Sequence, residues 1–157
     1  MASRRRWLLR ILLWSLAALA VMQVVPYGWK RTNPPVTADA PWPTPAAARI
    51  ARQSCYECHS NETTWPVYSK VAPMSWLVRH DVDGGRDKLN FSTWGDHTDL
   101  HDVSDVIRGG SMPPLQYTLI HPAAKLTAEE KRVFIAAIQA MDQGGGGSGR
   151  GRGGGGD

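Results

Sequence analysis

The sequence predicts an all-α protein: a small helical domain preceded by an N-terminal transmembrane helix. Three observations support this prediction. An apolar run opens the chain, helix-capping residues precede amphipathic stretches, and no convincing run of alternating strand residues occurs. A Pro-rich stretch and a Gly-rich stretch flank residues 46–142, which are therefore expected to form one domain with one core. This length lies near the lower part of the usual range of domain sizes.

The N-terminal segment, residues 1–25, has the features of a membrane anchor. Residues 7–25 are apolar with three interruptions, and a helix of this length extends over roughly 28 Å, close to the hydrocarbon thickness of a bilayer. Three arginines at 4–6 precede the run. They predict an inner-membrane protein with a cytoplasmic N-terminus and a domain facing the periplasm. The alternative is a cleaved signal peptide, because Ala18-Leu19-Ala20 offers small residues at a plausible cleavage spacing.

The flanking segments are not expected to join the core. Residues 26–45 hold six prolines and predict an extended linker that reaches up to roughly 60 Å. Residues 143–157 are mostly glycine and predict a disordered tail. Residues 46–142 carry ten basic and twelve acidic side chains, so the net charge of +4 comes from the chain ends. Such a domain offers no phosphate-binding face, and nucleic acid is not expected as a partner.

Four helices are predicted in the domain. The first begins at Thr44 and Pro45, an N-cap and first-turn pair, and continues over residues 46–58. The second covers residues 75–89, although the pair Gly84-Gly85 weakens it.

The third predicted helix covers residues 97–108, with Asp96 as its cap and Gly109 as its end. The fourth covers residues 127–141 and begins with a Thr127/Glu130 capping box. The apolar side chains expected to face the core on these two helices are Leu100, Val103, Ile107, Phe134, Ile138 and Met141.

The motif that carries chemistry is Cys55-Tyr56-Glu57-Cys58-His59, which contains both cysteines of the chain. The C-x-x-C-H arrangement is the attachment signature of c-type haem. Two thiols at this spacing can form thioethers with the two vinyl groups of one porphyrin, and the next histidine is then held beneath the iron. A zinc knuckle needs two further ligands, and a thioredoxin-like disulfide needs a βαβ context. The motif therefore predicts one covalent haem c on Cys55 and Cys58, with His59 as an iron ligand.

A second iron ligand is expected from the loop that holds Met112-Pro113-Pro114. Its prolines stiffen the loop so that Met112 can present a thioether sulfur, and a His/Met pair raises the reduction potential, as suits an electron carrier. The alternative is that Met112 is an ordinary loop or core residue. Other candidates for this position are Met74, His80, His97, His101 and His121.

Aromatic residues near the motif are expected to line a haem crevice or to fill the core. They are Tyr56, Trp65, Tyr68, Trp76, Trp94 and Tyr117.

Three stretches of the chain resemble a known family. They are CYECHSNETTWPVYSKVAPMSWLV, DVDGGRDKLNFSTW and GSMPPLQYTLIHPAAKLTAEE. Over residues 50–140 the sequence is similar to the small, single-haem "haem-binding domain" family of bacterial proteins. The resemblance implies a cytochrome c-like fold around one covalent haem, bound by Cys55, Cys58 and His59, with Met112 as the distal ligand. It also implies export and membrane anchoring.

Together these features predict a membrane-tethered monohaem c-type cytochrome that carries single electrons between unidentified redox partners on the periplasmic side, without enzymatic activity of its own. One alternative is a haem-based sensor or small-gas binder with an open sixth iron position. A second is the haem subunit of a larger respiratory or photosynthetic complex. A third is a weak peroxidase, although the sequence offers no clear distal acid–base pair.

Overall fold

The computed structural model describes residues 2–95 and 98–145. Within these ranges the chain forms seven α-helices and two short 3-10 turns, at Val67–Lys70 and Pro122–Ala124. The helices are α1 (Ala2–Gln23), α2 (Pro45–Ser54), α3 (Tyr56–His59), α4 (Met74–Lys88), α5 (Val103–Gly109), α6 (Leu115–Ile120) and α7 (Ala128–Gly145). Strand-type pairing in the described residues is limited to an isolated parallel bridge between Ala38 and Thr93. The prediction of an all-α protein is confirmed.

The chain divides into two compact units. The first consists of Met1–Thr32 and Thr64–Asp83, and it contains α1, the turn Val67–Lys70 and most of α4. The second consists of Asn33–Thr63 and Gly84–Asp157, and its described part holds the C-x-x-C-H motif and the remaining helices.

In the first unit, α1 coincides with the predicted anchor. Among the described helices, the stretch Ser3–Gln23 is long and apolar enough to cross a membrane, and none of its most apolar window is buried. Trp14, for example, is 76% exposed. Apolar side chains exposed at this density are stable in a nonpolar environment rather than in water.

In the second unit, α7 lies at the centre of the core. The predicted stripe of Phe134, Ile138 and Met141 is buried, and α7 packs against α2 and α5. Ile50 on α2 and Ile107 on α5 belong to the same cluster. Full burial of each such side chain stabilises the folded state by about 1.5–3 kcal/mol.

Capping residues begin α2 and α7 as predicted. The Thr44 hydroxyl accepts a hydrogen bond from the Ala47 N–H at 3.2 Å, and Pro45 is the first helical residue. At α7, the Glu130 carboxylate accepts from the N–H and the hydroxyl of Thr127, both at 2.8 Å, and the Thr127 hydroxyl accepts from the Glu130 N–H at 3.2 Å. These bonds satisfy N–H groups that have no partner inside the helix.

The third helix is shorter than predicted. It begins at Val103 rather than at residue 97, and Asp102 precedes it without a capping side-chain bond. Asp99 accepts a hydrogen bond from the His101 N–H at 2.9 Å, so a local turn replaces the first helical turn, a well-known property of Asp. The predicted cap, Asp96, lies outside the described residues.

Residues 33–43, the second half of the predicted linker, are bound to the second unit. The Ala40 N–H donates to the Phe91 carbonyl at 2.9 Å, Ala40 is buried, and Trp42 packs against the core cluster. The prolines predict a free extended chain, but Ala40 and Trp42 supply apolar surface that the core takes up. This half of the linker therefore does not extend the reach of the domain.

At the other end, α7 continues to Gly145, two residues beyond the predicted start of the tail. Residues 146–157, where the disordered tail was predicted, lie outside the described part.

Replacing Thr127 tests the capping box. Thr127→Ala is expected to lower the free energy of unfolding by about 1 kcal/mol, because an N–H group of the first turn of α7 loses its acceptor. Denaturant unfolding of the full-length protein measures the change. Thr118→Ala is the matched control, since its hydroxyl donates to the Leu115 carbonyl one turn back and caps no N–H. Equal losses in both variants would contradict the capping role.

Candidate functional site

The C-x-x-C-H motif forms a single helical turn directly after α2. Ile50 and Ala51 are buried on one face of α2, which fixes where the helix delivers the motif. Cys55 has φ −126° and ψ −36° and separates α2 from α3. Its carbonyl accepts hydrogen bonds from the N–H groups of Cys58, at 3.2 Å, and His59, at 2.9 Å. Both cysteines are reduced and partly buried.

His59 is held as a neutral imidazole with a defined tautomer. Its Nδ1 lies 3.0 Å from the Leu89 carbonyl oxygen. Because a carbonyl only accepts, Nδ1 carries the hydrogen and Nε2 keeps its lone pair. Burial lowers the pKa of His59, although the carbonyls of Leu89 and Gly85 act in the opposite direction. An imidazole oriented from behind in this way is the form that binds a metal through Nε2.

Cys55, His59 and Met112 line one cavity of about 380 Å³. This volume lies within the range of roughly 300–1,000 Å³ typical of cofactor pockets. The apolar part of its wall consists of Leu89, Phe91, Val103, Val106, Ile107 and Phe134, and the charged part of Lys88, Asp99 and Asp102. The structure thus brings together three of the four predicted site residues, while Cys58 is not among those that line the cavity.

Within the second unit, α4 packs closely against the motif at Gly85. A Cβ at this position would lie 2.5 Å from the carbonyl oxygen of Cys58 and 2.9 Å from its carbonyl carbon. The neighbouring Gly84 has nothing within 4 Å of such an atom. The glycine pair that weakens the helix prediction therefore has a packing reason at Gly85, where only glycine allows the two backbones to approach.

A polar network supports the motif through Tyr56. The Tyr56 hydroxyl donates to Asp39 at 2.6 Å and accepts from the Trp42 Nε1–H at 3.0 Å. Arg52 forms an ion pair with Asp39 at 2.7 Å, and its guanidinium lies 4.5 Å from the centre of the Tyr56 ring. Burial, followed by the bond to Asp39, raises the pKa of Tyr56. The phenol therefore stays neutral and acts as a donor that ties residues 39–42 to the motif.

Cys55 is poorly suited to act as a free thiolate. Burial, together with the charge of Cys58, raises the pKa of its thiol to about 12. Thiolate chemistry, such as disulfide exchange, requires a lowered thiol pKa. Thioether formation removes the ionisable group altogether, so the environment of Cys55 fits a covalently bonded sulfur better than a redox thiol.

Among the described residues, the other candidates for the second iron ligand do not line the cavity. Met74 and His80 belong to the first unit, His101 is exposed, and His121 stacks on Tyr117 with ring centres 4.5 Å apart. His97 lies outside the described residues.

Of the two roles predicted for the aromatic residues, Tyr56 and Trp94 take the core role, and other aromatic rings form the cavity wall. Phe91 and Phe134 line the cavity, and none of the six predicted aromatic residues does. Tyr56 and Trp94 stack on Phe91 from behind, at 5.3 and 6.5 Å between ring centres. Phe91 was missed because it lies in a loop outside any periodic pattern. Phe134 was assigned to the core by its helical spacing, and that spacing cannot reveal a cavity on one side of the ring.

These residues fit a haem. An imidazole with an available Nε2, a thioether sulfur and two thiols surround or adjoin a largely apolar cavity, and this is the set of donors by which proteins hold haem. The fold and the cavity define a helical haem protein. The chain belongs to the haem-binding domain family, whose profile matches residues 17–140. This match begins inside α1, so it includes the Pro-rich residues that the sequence resemblance left out.

Among curated proteins, the chain is similar to the "Cytochrome c peroxidase Ccp" of Escherichia coli strain K12, with 24% identity over 98 residues. The alignment covers 57% of this chain and 21% of the relative. The chain thus spans about a fifth of the length of that curated protein. No solved structure matches the chain.

The two adjacent glycines provide a matched test of the contact between α4 and the motif. Gly85→Ala is expected to cost about 1–3 kcal/mol in stability, because its Cβ meets backbone atoms that cannot move aside, and to lower the haem content per chain. Gly84→Ala is expected to raise stability by about 0.5–1 kcal/mol and to leave the haem content unchanged. Haem content is measured by pyridine haemochrome assay. Full haem content in Gly85→Ala would contradict the close contact.

Proposed function

We propose that this chain is a membrane-tethered c-type cytochrome that carries single electrons between redox partners on the periplasmic side. The observation that carries the proposal is the convergence of Cys55, His59 and Met112 on one cavity. A bound haem supplies an iron centre that takes up and releases one electron.

Each residue of the site has a distinct role in this proposal. The sulfurs of Cys55 and Cys58 would hold the haem covalently. His59 would bind the iron through Nε2, while the Leu89 carbonyl, 3.0 Å from Nδ1, fixes the orientation of the ring. Met112 would provide the second ligand. Phe91 and Phe134 lie on the cavity wall, where they exclude water and so favour electron exchange over reactions with solvent.

The location in the inner membrane rests on α1. This helix has the length and the apolarity of a membrane span, and the arginines at 4–6 favour a cytoplasmic N-terminus. The residues that follow α1 then lie on the outer side, where bacterial haem attachment occurs. Membership of a larger membrane redox complex is compatible with this arrangement.

A second candidate function is a small-gas binder, and the exposure of Met112 favours it. Met112 is 37% exposed, and the loop is held at this point by a hydrogen bond of 3.3 Å from the Met112 N–H to the Val106 carbonyl. A sulfur ligand that leaves the iron would open a site for small molecules. The same opening would allow a peroxidase-type reaction. The similar Escherichia coli protein carries the name of a peroxidase.

Met112→Ala separates the two functions. The oxidised wild-type protein is expected to show a weak sulfur-to-iron absorption band in the near infrared and the variant to lack it, because the thioether is gone. Reduced wild-type protein is expected to bind carbon monoxide slowly or not at all, and the variant rapidly. Met74→Ala is the control and should keep the band. A band that survives in Met112→Ala contradicts the ligand, and rapid carbon monoxide binding by the wild type contradicts the electron carrier.

A further inference from the structure

In the first unit, the end of α1 is tied to the loop before α4. The Gln23 side chain donates to the Ala72 carbonyl at 3.1 Å and accepts from the Ala72 N–H at 3.0 Å. A helix over Ser3–Gln23 is about 31 Å long, close to the thickness of the hydrocarbon layer. Gln23 therefore stands where a membrane span ends, and Ala72 lies beside it at the same depth.

Further contacts fix this loop to the residues that follow α1. Gly28 has φ +83°, and a Cβ there would lie 2.6 Å from the carbonyl oxygen of Ser75. The Arg31 guanidinium donates to the Ser69 carbonyl at 3.3 Å, and Arg79 donates to the Lys30 carbonyl at 3.0 Å. Contacts at Ser69 and Ala72 in the loop, and at Ser75 and Arg79 on α4, thus hold residues 69–79 in place relative to the end of α1.

The side chains near the end of α1 and in the loop before α4 suit the interface between water and lipid. Val67 is 79% exposed and Val71 is 53% exposed, although both are apolar. Tyr27 and Trp29, just after the span, are also exposed, and these residue types are enriched at membrane interfaces because they combine an apolar ring with a polar group.

The charge of these segments complements a lipid surface. Residues 24–32 and 64–83 contain two acidic residues, Asp81 and Asp83, the second of which pairs with Arg79 at 2.6 Å. The basic residues are Lys30, Arg31, Lys70 and Arg79. Of these, Lys30 and Lys70 are exposed, where they are available to the phosphate groups of anionic lipids.

We propose that residues 67–71, which we call the interface loop, insert Val67 and Val71 into the surface of the membrane that α1 crosses. The first unit would then be seated on the bilayer at two points rather than tethered by one helix. This inference rests on the membrane anchoring proposed above. The two valines would contact lipid at the boundary between headgroups and acyl chains, on the side of the membrane opposite the N-terminus.

Photocrosslinking in the full-length protein tests this. Four variants each carry p-benzoylphenylalanine, which on irradiation bonds to nearby C–H groups, at Val67, Val71, Leu16 or His80. The protein is reconstituted in vesicles of phosphatidylethanolamine and phosphatidylglycerol, irradiated and analysed for lipid adducts by mass spectrometry. Leu16 lies within the span and reports the anchor. His80, exposed on α4, reports a position in water. Since all four side chains are exposed, the replacements leave the core intact.

Lipid adducts at Val67 and Val71 approaching the level at Leu16, and several-fold above the level at His80, are expected. Adducts at Leu16 with only background at both valines would overturn the interface loop and leave the anchor standing. Background at Leu16 as well would overturn the anchoring itself. Protein adducts in place of lipid adducts, when the experiment is repeated in native membranes, would also overturn the lipid surface as occupant. Haem staining of the same samples reports separately on cofactor attachment.

Discussion

The packing of α4 against the C-x-x-C-H turn is the contact on which the proposed site depends. Gly85 touches the carbonyl of Cys58, and one helical turn later the Leu89 carbonyl receives the Nδ1–H of His59. Gly85 and Leu89 are four residues apart, about one helical turn. A single stretch of chain therefore sets both the distance between α4 and the C-x-x-C-H turn and the orientation of the imidazole. Because glycine and backbone carbonyls make the contacts on the side of α4, no rotamer change there can loosen them.

Phe91 extends this constraint into the core. Its N–H donates to the carbonyl of His59 at 2.8 Å, and its ring forms part of the cavity wall. Behind it, Trp42 packs with ring centres 5.1 Å apart, and Tyr56 connects the motif to Asp39. The two faces of the motif therefore differ: one meets an aromatic cluster with part-buried hydrogen bonds, and the other opens to the cavity. The contacts on the core side fix the orientation of the motif, and they leave its haem-binding atoms on the cavity side available.

The sequence predicted those features that a short segment determines. The spacing of Cys55, Cys58 and His59 specifies a chemistry within five residues, and a capping box such as that of Thr127 is complete within four. Features that depend on distant neighbours escaped prediction. Gly85 reads as a helix breaker until the carbonyl of Cys58 is found against it, and the linker reads as an extended spacer until Trp42 is found packed against the core cluster.

Mass spectrometry of the full-length protein shows whether Cys55 and Cys58 hold one haem covalently. The protein is produced together with bacterial haem-attachment machinery and measured under denaturing conditions. We expect an intact mass increased by one haem, with fragments that place thioethers on both Cys55 and Cys58. An unmodified mass, or a haem lost on denaturation, would contradict covalent attachment.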